Sequence, residues 1–254
     1  MSPSSPIIPG CCHCRTTCSV GSMMAVLCLA MATGCNNVSA RARNAEGVRL
    51  FDQARYQEAM QHFQAASYAD PKNADSYYNL AACWQCLGRT ENRQSDLDQA
   101  EEYYNRCLDH DSNHRDCYRR LAVMLAEEGR DEEAFRLIEG WVDREPNSAD
   151  ARIELARLFE EFGNREAAKE HLIGALSIEP SNARALAALG KVREDLGDRT
   201  QALAAYQRSL WHDRLQPEVA ARVSALQSTM TPATSIIAGD GPTRVVGRES
   251  TSLR

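Results

Sequence analysis

The sequence predicts an all-α protein of about five helix-turn-helix units, followed by a helix that caps the last unit. After Asn36, the sustained apolar patterns have three- and four-residue spacing, which indicates helices rather than strands. The same small and large residues then recur at intervals of 34 residues, once lengthened to 41. A last amphipathic stretch, 217–230, follows these intervals, as expected for a cap.

Composition limits the class of protein before any motif is considered. The chain has 254 residues, of which 43% are hydrophobic and 25% charged, so it can bury a substantial core. Its formal net charge is -6 and charges of both signs are interspersed. Because nucleic-acid binding needs a basic face, this balance disfavours nucleic acid as a partner.

The first 35 residues differ from the rest of the chain. They contain no acidic residue, no lysine and a single arginine, Arg15, ahead of an apolar run at 23–32. Ten apolar residues are too few to span a bilayer core of about 30 Å. Residues 1–35 are therefore predicted to be a secretory leader, with 36–39 as a short linker to the folded part.

The leader ends in Thr33-Gly34-Cys35, which resembles the lipobox of bacterial lipoproteins. The resemblance implies that Cys35 becomes the first mature residue and carries lipid, including palmitate. Asn36 in place of aspartate then implies the outer membrane rather than the inner one. Ala32 stands where the family prefers leucine, so plain secretion and an uncleaved leader are alternatives.

The repeated unit is marked by an alanine with a large side chain four residues later. The small residue allows two helices to approach closely, and the larger one fills the space one turn on. Glycine five residues before three of these alanines lets the chain leave the preceding helix in a left-handed conformation. The five pairs are Ala59 and Phe63, Ala100 and Tyr104, Ala134 and Ile138, Ala168 and Leu172, and Ala202 and Tyr206.

A 34-residue unit of this pattern resembles the tetratricopeptide repeat. The best single copy lies at 74–88, where Tyr77, Leu80, Ala81 and Trp84 match the first-helix signature. The resemblance implies a right-handed α-solenoid that binds a peptide or protein in a groove lined by the first helix of each unit. The units are expected at 40–73, 74–114, 115–148, 149–182 and 183–216, before the capping helix at 217–230.

By the same resemblance, groove positions can be carried over to this chain. Their mixture of charges and aromatic rings suits a partner segment of mixed polarity. The asparagine clamp for a terminal carboxylate is not matched, because Val48 and Ala82 occupy its slots. The positions are Asn44, Phe51, Asp52, Tyr78, Gln85, Cys86, Arg119, Glu127, Ile153, Arg157, Glu161, Lys191 and Asp195.

Four cysteines fall within the repeats. Cys83, Cys107 and Cys117 occupy slots where the repeat usually has alanine, which predicts packing between helices. Cys86 lies on the groove side of the same helix as Cys83. Because that pair sits in the middle of a helix rather than at its N-terminus, the sequence disfavours a catalytic dithiol.

The junction of the second and third units allows two other readings of its cysteines. Cys107, His110, His114 and Cys117 form a C-x2-H-x3-H-x2-C pattern, whose composition zinc accepts. A disulfide between Cys107 and Cys117 is the second alternative, in an oxidising compartment. Simple packing explains these cysteines without either, so no metal or other cofactor is predicted.

Two segments depart from the repeat. The second unit has seven extra residues between Gly88 and Ala100, which predict either extra helical turns or a protruding loop. Residues 231–254 are rich in Ser, Thr, Gly and Pro without sustained periodicity, and they are predicted to be disordered.

The sequence therefore predicts a non-enzymatic adaptor. No phosphate loop, HExxH motif or nucleophile with a base at a recognisable spacing occurs in it. The leading hypothesis is a lipid-anchored scaffold in a bacterial envelope, similar in architecture to lipoproteins that assist pilus and outer-membrane assembly. The alternative is a periplasmic or cytoplasmic scaffold of the same kind without lipid.

Overall fold

The structure is a computed structural model that describes residues 39–230, and these residues form helices and no strands. The leader, Cys35 and the tail 231–254 lie outside the described residues. Within the described part, no helix combines the length and apolar character that a membrane span needs. The helices are α1 (39–52), α2 (Tyr56–Ala69), α3 (Ala74–Glu91), α4 (Gln94–His110), α5 (Arg115–Glu127), α6 (Asp131–Arg144), α7 (Ala149–Glu161), α8 (Arg165–Ile178), α9 (Ala183–Asp195), α10 (Arg199–His212) and α11 (Pro217–Met230).

The described residues divide into two compact units, with the boundary between Pro146 and Asn147. The described part of unit one contains α1–α6, and that of unit two contains α7–α11. In both units, consecutive helices joined by short turns pack together, and α11 packs against α10. This arrangement confirms the predicted all-α class of paired helices with a terminal helix.

The alanines that mark the repeat are at the helix contacts. All five alanines are fully buried, and the large residues four positions later are at most 3% exposed. In α1, a Cβ added to Gly47 would lie 2.5 Å from the ring of Phe63. In α9, a Cβ added to Gly190 would lie 2.6 Å from Tyr206. These glycines are required because a ring from the paired helix lies against the backbone.

The turns inside the helix pairs need a left-handed residue. Gly129, Gly163 and Gly197 fill this position with φ of 73°, 77° and 86°. In the two pairs without such a glycine, Ala54 and Asn92 adopt φ of 57° and 52°. The backbone conformation thus recurs in every pair, even where its preferred residue is missing.

The seven extra residues of the second pair form helix. α3 has 18 residues and α4 has 17, compared with 13 in α5 and 14 in α6. Asn92 and Arg93 alone connect them, and Leu97 of α4 lies against Gly88. Of the two alternatives, extra helical turns are correct and a protruding loop is wrong.

Side-chain caps mark where the first helices of four pairs begin. The cap residue accepts a hydrogen bond from the backbone N–H three positions on, which satisfies a donor that the helix cannot. Asn73, Ser148 and Asn182 are ordinary cap residues, and His114 does the same through Nδ1. The four caps therefore stand at the 41- and 34-residue intervals of the sequence.

Candidate functional site

The first-helix face of unit one, formed by α1, α3 and α5, contains an asparagine pair. Asn79 Nδ2 donates to Asn44 Oδ1 at 3.0 Å, and both residues are half-buried. Asn44 is a predicted groove residue, whereas Asn79 was not identified. This bond uses one N–H of Asn79. The second N–H of Asn79 and the NH2 group of Asn44 are further hydrogen-bond donors.

Tyr78 is the aromatic centre of this face. Its half-buried ring stacks on His114 with centroids 5.2 Å apart. Arg120, from α5, hydrogen-bonds to Tyr78. Arg119 is also partly accessible, with a guanidinium nitrogen 4.0 Å from Asp116. The predicted residues Tyr78 and Arg119 thus project from adjacent first helices.

Gln85 does not belong to the accessible face. It is 2% exposed, and its Oε1 accepts a hydrogen bond from the hydroxyl of buried Tyr104 at 2.8 Å. Because its side chain is buried in the folded chain, the prediction that Gln85 contacts a binding partner is wrong. Its neighbour Cys86 is only half-buried.

The ends of α1, α3 and α5 carry the remaining predicted residues of unit one. Glu127 is exposed and forms an ion pair with Arg89 of α3. Phe51 is half-buried and packs edge-on against Tyr56, with ring centroids 5.2 Å apart. Asp52 is exposed. Polar and aromatic groups therefore continue along this end of the face.

The first-helix face of unit two is held by a buried carboxylate. Glu154 of α7 has no exposure, and its Oε1 accepts from Arg184 Nη2 at 2.7 Å. Arg157 Nε lies 3.2 Å from its other oxygen. Arg184 also binds Asp150 at 2.7 Å, so one guanidinium joins α9 to two carboxylates of α7. This network compensates the buried charge.

The other predicted residues of unit two are also largely paired. Arg157 contacts Glu161 at 3.0 Å, and Lys191 pairs with Glu160. Asp195 is 4.0 Å from Arg165, the longest of these contacts. Ile153 is 6% exposed and packs in the core, so its predicted role in the groove is wrong.

Three of the four cysteines in the repeats are packing residues, as predicted. Cys83, Cys107 and Cys117 are buried free thiols, so the disulfide alternative does not describe this structure. Burial raises the pKa of Cys83 to about 12. A hydrogen bond with Cys117 lowers the pKa of Cys107, while burial raises that of Cys117. Cys117 also donates to the Tyr104 carbonyl at 3.2 Å.

The two histidines of the zinc pattern have other contacts. His114 Nδ1 accepts from the Cys117 backbone N–H at 3.1 Å, and Nε2 lies 3.2 Å from Asp75 Oδ1. His110 stacks on Tyr77 with centroids 4.8 Å apart. Among residues 39–230, no three His, Cys, Asp or Glu side chains are arranged to hold a metal ion.

Asp75 and His114 influence each other's charge. Their hydrogen bond raises the pKa of His114 and lowers that of Asp75. The cap bond to Cys117 opposes this effect, because it needs an unprotonated Nδ1. A protonated ring therefore strengthens the ion pair with Asp75, whereas a neutral ring keeps the cap bond to the Cys117 backbone.

The structure adds three residues that sequence reasoning missed. Asn79 and Arg120 each lie one position after a predicted residue, Tyr78 and Arg119, and share the accessible face with it. Arg184 was missed because its partners Asp150 and Glu154 belong to the preceding pair. The 34-residue separation of Arg184 and Asp150, one repeat, is the signal that could have found it.

Comparisons with known proteins agree with this geometry. Tetratricopeptide repeat family models match residues 81–124 and 153–220. A thermophilic TPR protein from Thermus thermophilus is similar in structure, with a TM-score of 0.56, 20% identity, and coverage of 74% of this chain and 99% of that one. The pilF protein of Pseudomonas aeruginosa gives a TM-score of 0.51 at 16% identity, covering 76% and 85%. No curated protein matches the sequence.

The helix pairs, their buried alanine contacts and the two matched segments define an all-α protein of tetratricopeptide-repeat architecture. Such repeats indicate a protein–protein interaction adaptor, and proteins built from them are generally non-enzymatic scaffolds.

Proposed function

We propose that this protein is a non-enzymatic adaptor whose first-helix faces bind a peptide or protein partner, and that lipid on Cys35 tethers it to the outer membrane of a bacterial envelope. The observation that carries the binding proposal is the contrast between the two sides of α3. Ala81 and Cys83 are fully buried against neighbouring helices, whereas Tyr78 and Asn79 remain accessible. A rigid face with aromatic and amide groups suits recognition of an extended polar segment.

The partner chemistry follows from the groups on the face of unit one. Asn44 and Asn79 offer amide groups to a peptide backbone, and Tyr78 offers a ring and a hydroxyl. Arg119 and Arg120 add positive charge at the α5 side. A segment with an aromatic or apolar residue beside a carboxylate complements this set.

The tether and the envelope role rest on the leader. An apolar run ending in Gly34-Cys35 ahead of a repeat array combines an anchor with a binding surface. Assembly of envelope or pilus-type structures is the role we propose for such a combination. The fold similarity to pilF adds no argument here, since at 16% identity it concerns the fold alone.

The binding proposal is tested with a matched pair of double variants. Tyr78→Ala with Arg119→Ala removes the centre of the face, and truncation of such residues commonly costs about 2 kcal/mol or more of binding. Tyr103→Ala with Arg106→Ala removes the same residue types from α4, where Arg106 lies 5.3 Å from the Tyr103 ring. We expect partners recovered from native membranes to be lost only with the first pair, at matched helical content. Equal recovery with both pairs would contradict the proposal.

The tether is tested separately. Cells labelled with a fatty-acid analogue should yield labelled parent protein and unlabelled Cys35→Ser protein, which stays out of the membrane fraction. Equal labelling of both would exclude lipid on Cys35. In that case, the scaffold without lipid becomes the better description, and the departure at Ala32 from the preferred leucine favours that alternative.

A further inference from the structure

Unit two contains an open cavity of about 400 Å³ between α9, α10 and α11. Ala187 and Ala188 of α9 and Val219 of α11 line it together with Tyr206 of α10. These groups make most of the lining apolar. Because Gly190 lets the Tyr206 ring lie directly on α9, the ring is fixed in this position. The cavity is therefore preformed and suited to small branched side chains.

Four charged residues also line the cavity, and its two cations are already neutralised. Lys191 forms an ion pair with Glu160. Arg222 is held by Glu194 through two hydrogen bonds, of 2.7 Å and 3.1 Å.

The two anions of the cavity are compensated much less. Asp195 has only Arg165 at 4.0 Å, and exposed Glu218 has no ion-pair partner within 4.0 Å among the described residues. The charge left over in the cavity is negative. A complementary occupant thus has apolar side chains flanked by cations.

The chain itself contains such a segment beyond α11. Residues 244–248 read RVVGR, in which Val245 and Val246 stand between Arg244 and Arg248. Glu249 follows Arg248, so two arginines outweigh one carboxylate in this stretch. The other apolar pair of the tail, Ile236-Ile237, has Asp240 three residues later and no basic neighbour. Only the first segment matches both the apolar lining and its charge.

The length of the intervening chain allows this segment to reach the cavity. Val219 lies 11 residues before Met230 on α11, which corresponds to about 17 Å along a helix. Thirteen residues separate Met230 from Arg244, and a random coil of that length would have an r.m.s. span of about 20 Å. A linker whose span matches the required distance gives the highest effective concentration.

We propose that residues 244–248 dock into the cavity between α9, α10 and α11 of the same molecule, with the valines against Ala187, Ala188 and Val219 and the arginines beside Asp195 and Glu218. Docking covers Lys191 and Asp195, two of the predicted partner-binding residues. The docking itself does not require the proposed function. Only its consequence, that the tail occludes part of the face that a partner uses, rests on that function.

Proteolysis of the full chain tests the docking without any partner. Thermolysin cleaves before branched apolar residues, so it can cut before Val245 and before Ile236 in the same molecule. Synthetic peptides covering 231–254 calibrate the intrinsic rate at each bond. We expect cleavage before Val245 to be about tenfold slower in the protein than in the peptide, with Ile236 much less protected, because cleavage follows the undocked population.

Charge variants assign the protection to the cavity. Glu218→Lys should abolish the protection, and so should Arg244→Glu with Arg248→Glu, whereas combining these three substitutions with Asp195→Lys should restore it. Glu170→Lys makes the same kind of charge change on the exposed surface of α8 and should leave the protection of Val245 unchanged. High salt should weaken it, because the charge pairs are screened.

Three results would overturn the proposal. The first is equal calibrated cleavage before Val245 in the parent and in Glu218→Lys at matched melting temperature. The second is failure of the quadruple variant, with both acids and both arginines inverted, to restore protection. The third is protection that rises with protein concentration, which would place the segment in a second copy. None of these readouts involves a partner, so they leave the test of the proposed function independent.

Discussion

The Tyr104 hydroxyl donates a hydrogen bond to Gln85 Oε1 at 2.8 Å, and both residues are buried in the second helix pair. The bond joins α3 to α4 in the pair that has extra helical turns. It also explains why a glutamine at a predicted groove position faces inward. A buried amide oxygen needs a donor, and the neighbouring helix supplies one.

This bond makes Tyr104→Phe a destabilising change. The substitution keeps the ring and leaves Gln85 Oε1 without its donor, which should lower the free energy of unfolding by about 1–3 kcal/mol in chemical denaturation. Tyr68→Phe is the control, because Tyr68 is 85% exposed. Adding Gln85→Leu to Tyr104→Phe should recover part of the loss. An unchanged denaturation midpoint for Tyr104→Phe alone would contradict this account.

The left-handed conformation of Ala54 predicts a stabilising glycine. Its φ of 57° is unfavourable for a residue with a Cβ, and Gly129, Gly163 and Gly197 fill the same position in other pairs. Ala54→Gly should therefore raise the free energy of unfolding by about 0.5–1 kcal/mol, a gain visible in thermal melting. Ala204→Gly, at an exposed position inside α10, should do the reverse. A loss of stability in both variants would argue against strain at Ala54.

Overpacking at a repeat contact should be costly. Ala134 is fully buried where α6 packs against α5, so Ala134→Phe should destabilise the protein by about 1–3 kcal/mol. Ala204→Phe places the same side chain on the surface of α10 and serves as the control. Equal melting temperatures for these two variants would show that Ala134 is not at a tight contact.

The contact between Asp75 and His114 predicts a pH effect. Because the hydrogen bond raises the pKa of His114, its stabilisation is fully present below about pH 6.5 and is lost as pH rises through the folded pKa. Relative to Asp75→Asn, the parent should thus be more stable in mildly acidic solution, where Asp75 is still ionised, and the difference should shrink towards alkaline pH and again as Asp75 becomes protonated at low pH.

NMR titration of the His114 ring provides the direct measurement. Its pKa should fall when Asp75 is replaced by asparagine, whereas Asp213→Asn, which changes a carboxylate in unit two, should leave it unchanged. Identical His114 titrations in the parent and in Asp75→Asn would mean that the Asp75 carboxylate does not raise the pKa of the ring, which would contradict this account.

The sequence by itself determined the class of fold and the positions of the helix contacts. These features are local and periodic. Each helix pair repeats an alanine, a large residue four positions later and a left-handed turn, so the five copies all indicate the same packing. Cys83, Cys107 and Cys117 could be interpreted as packing residues for this reason, since they occupy alanine slots that the structure buries.

Only the tertiary structure decided which side chains of the first helices remain accessible. Gln85 and Cys86 are adjacent in sequence, and Gln85 turned inward because Tyr104 of another helix offers a hydroxyl. Likewise, Arg184 reaches Asp150 across one repeat. The cavity beside Val219 exists because α11 packs against α10 at the end of unit two. Which side chains stay accessible depends on contacts with residues that are distant in the chain. A periodic pattern carries no information about the hydrogen-bond donors and charges of those residues.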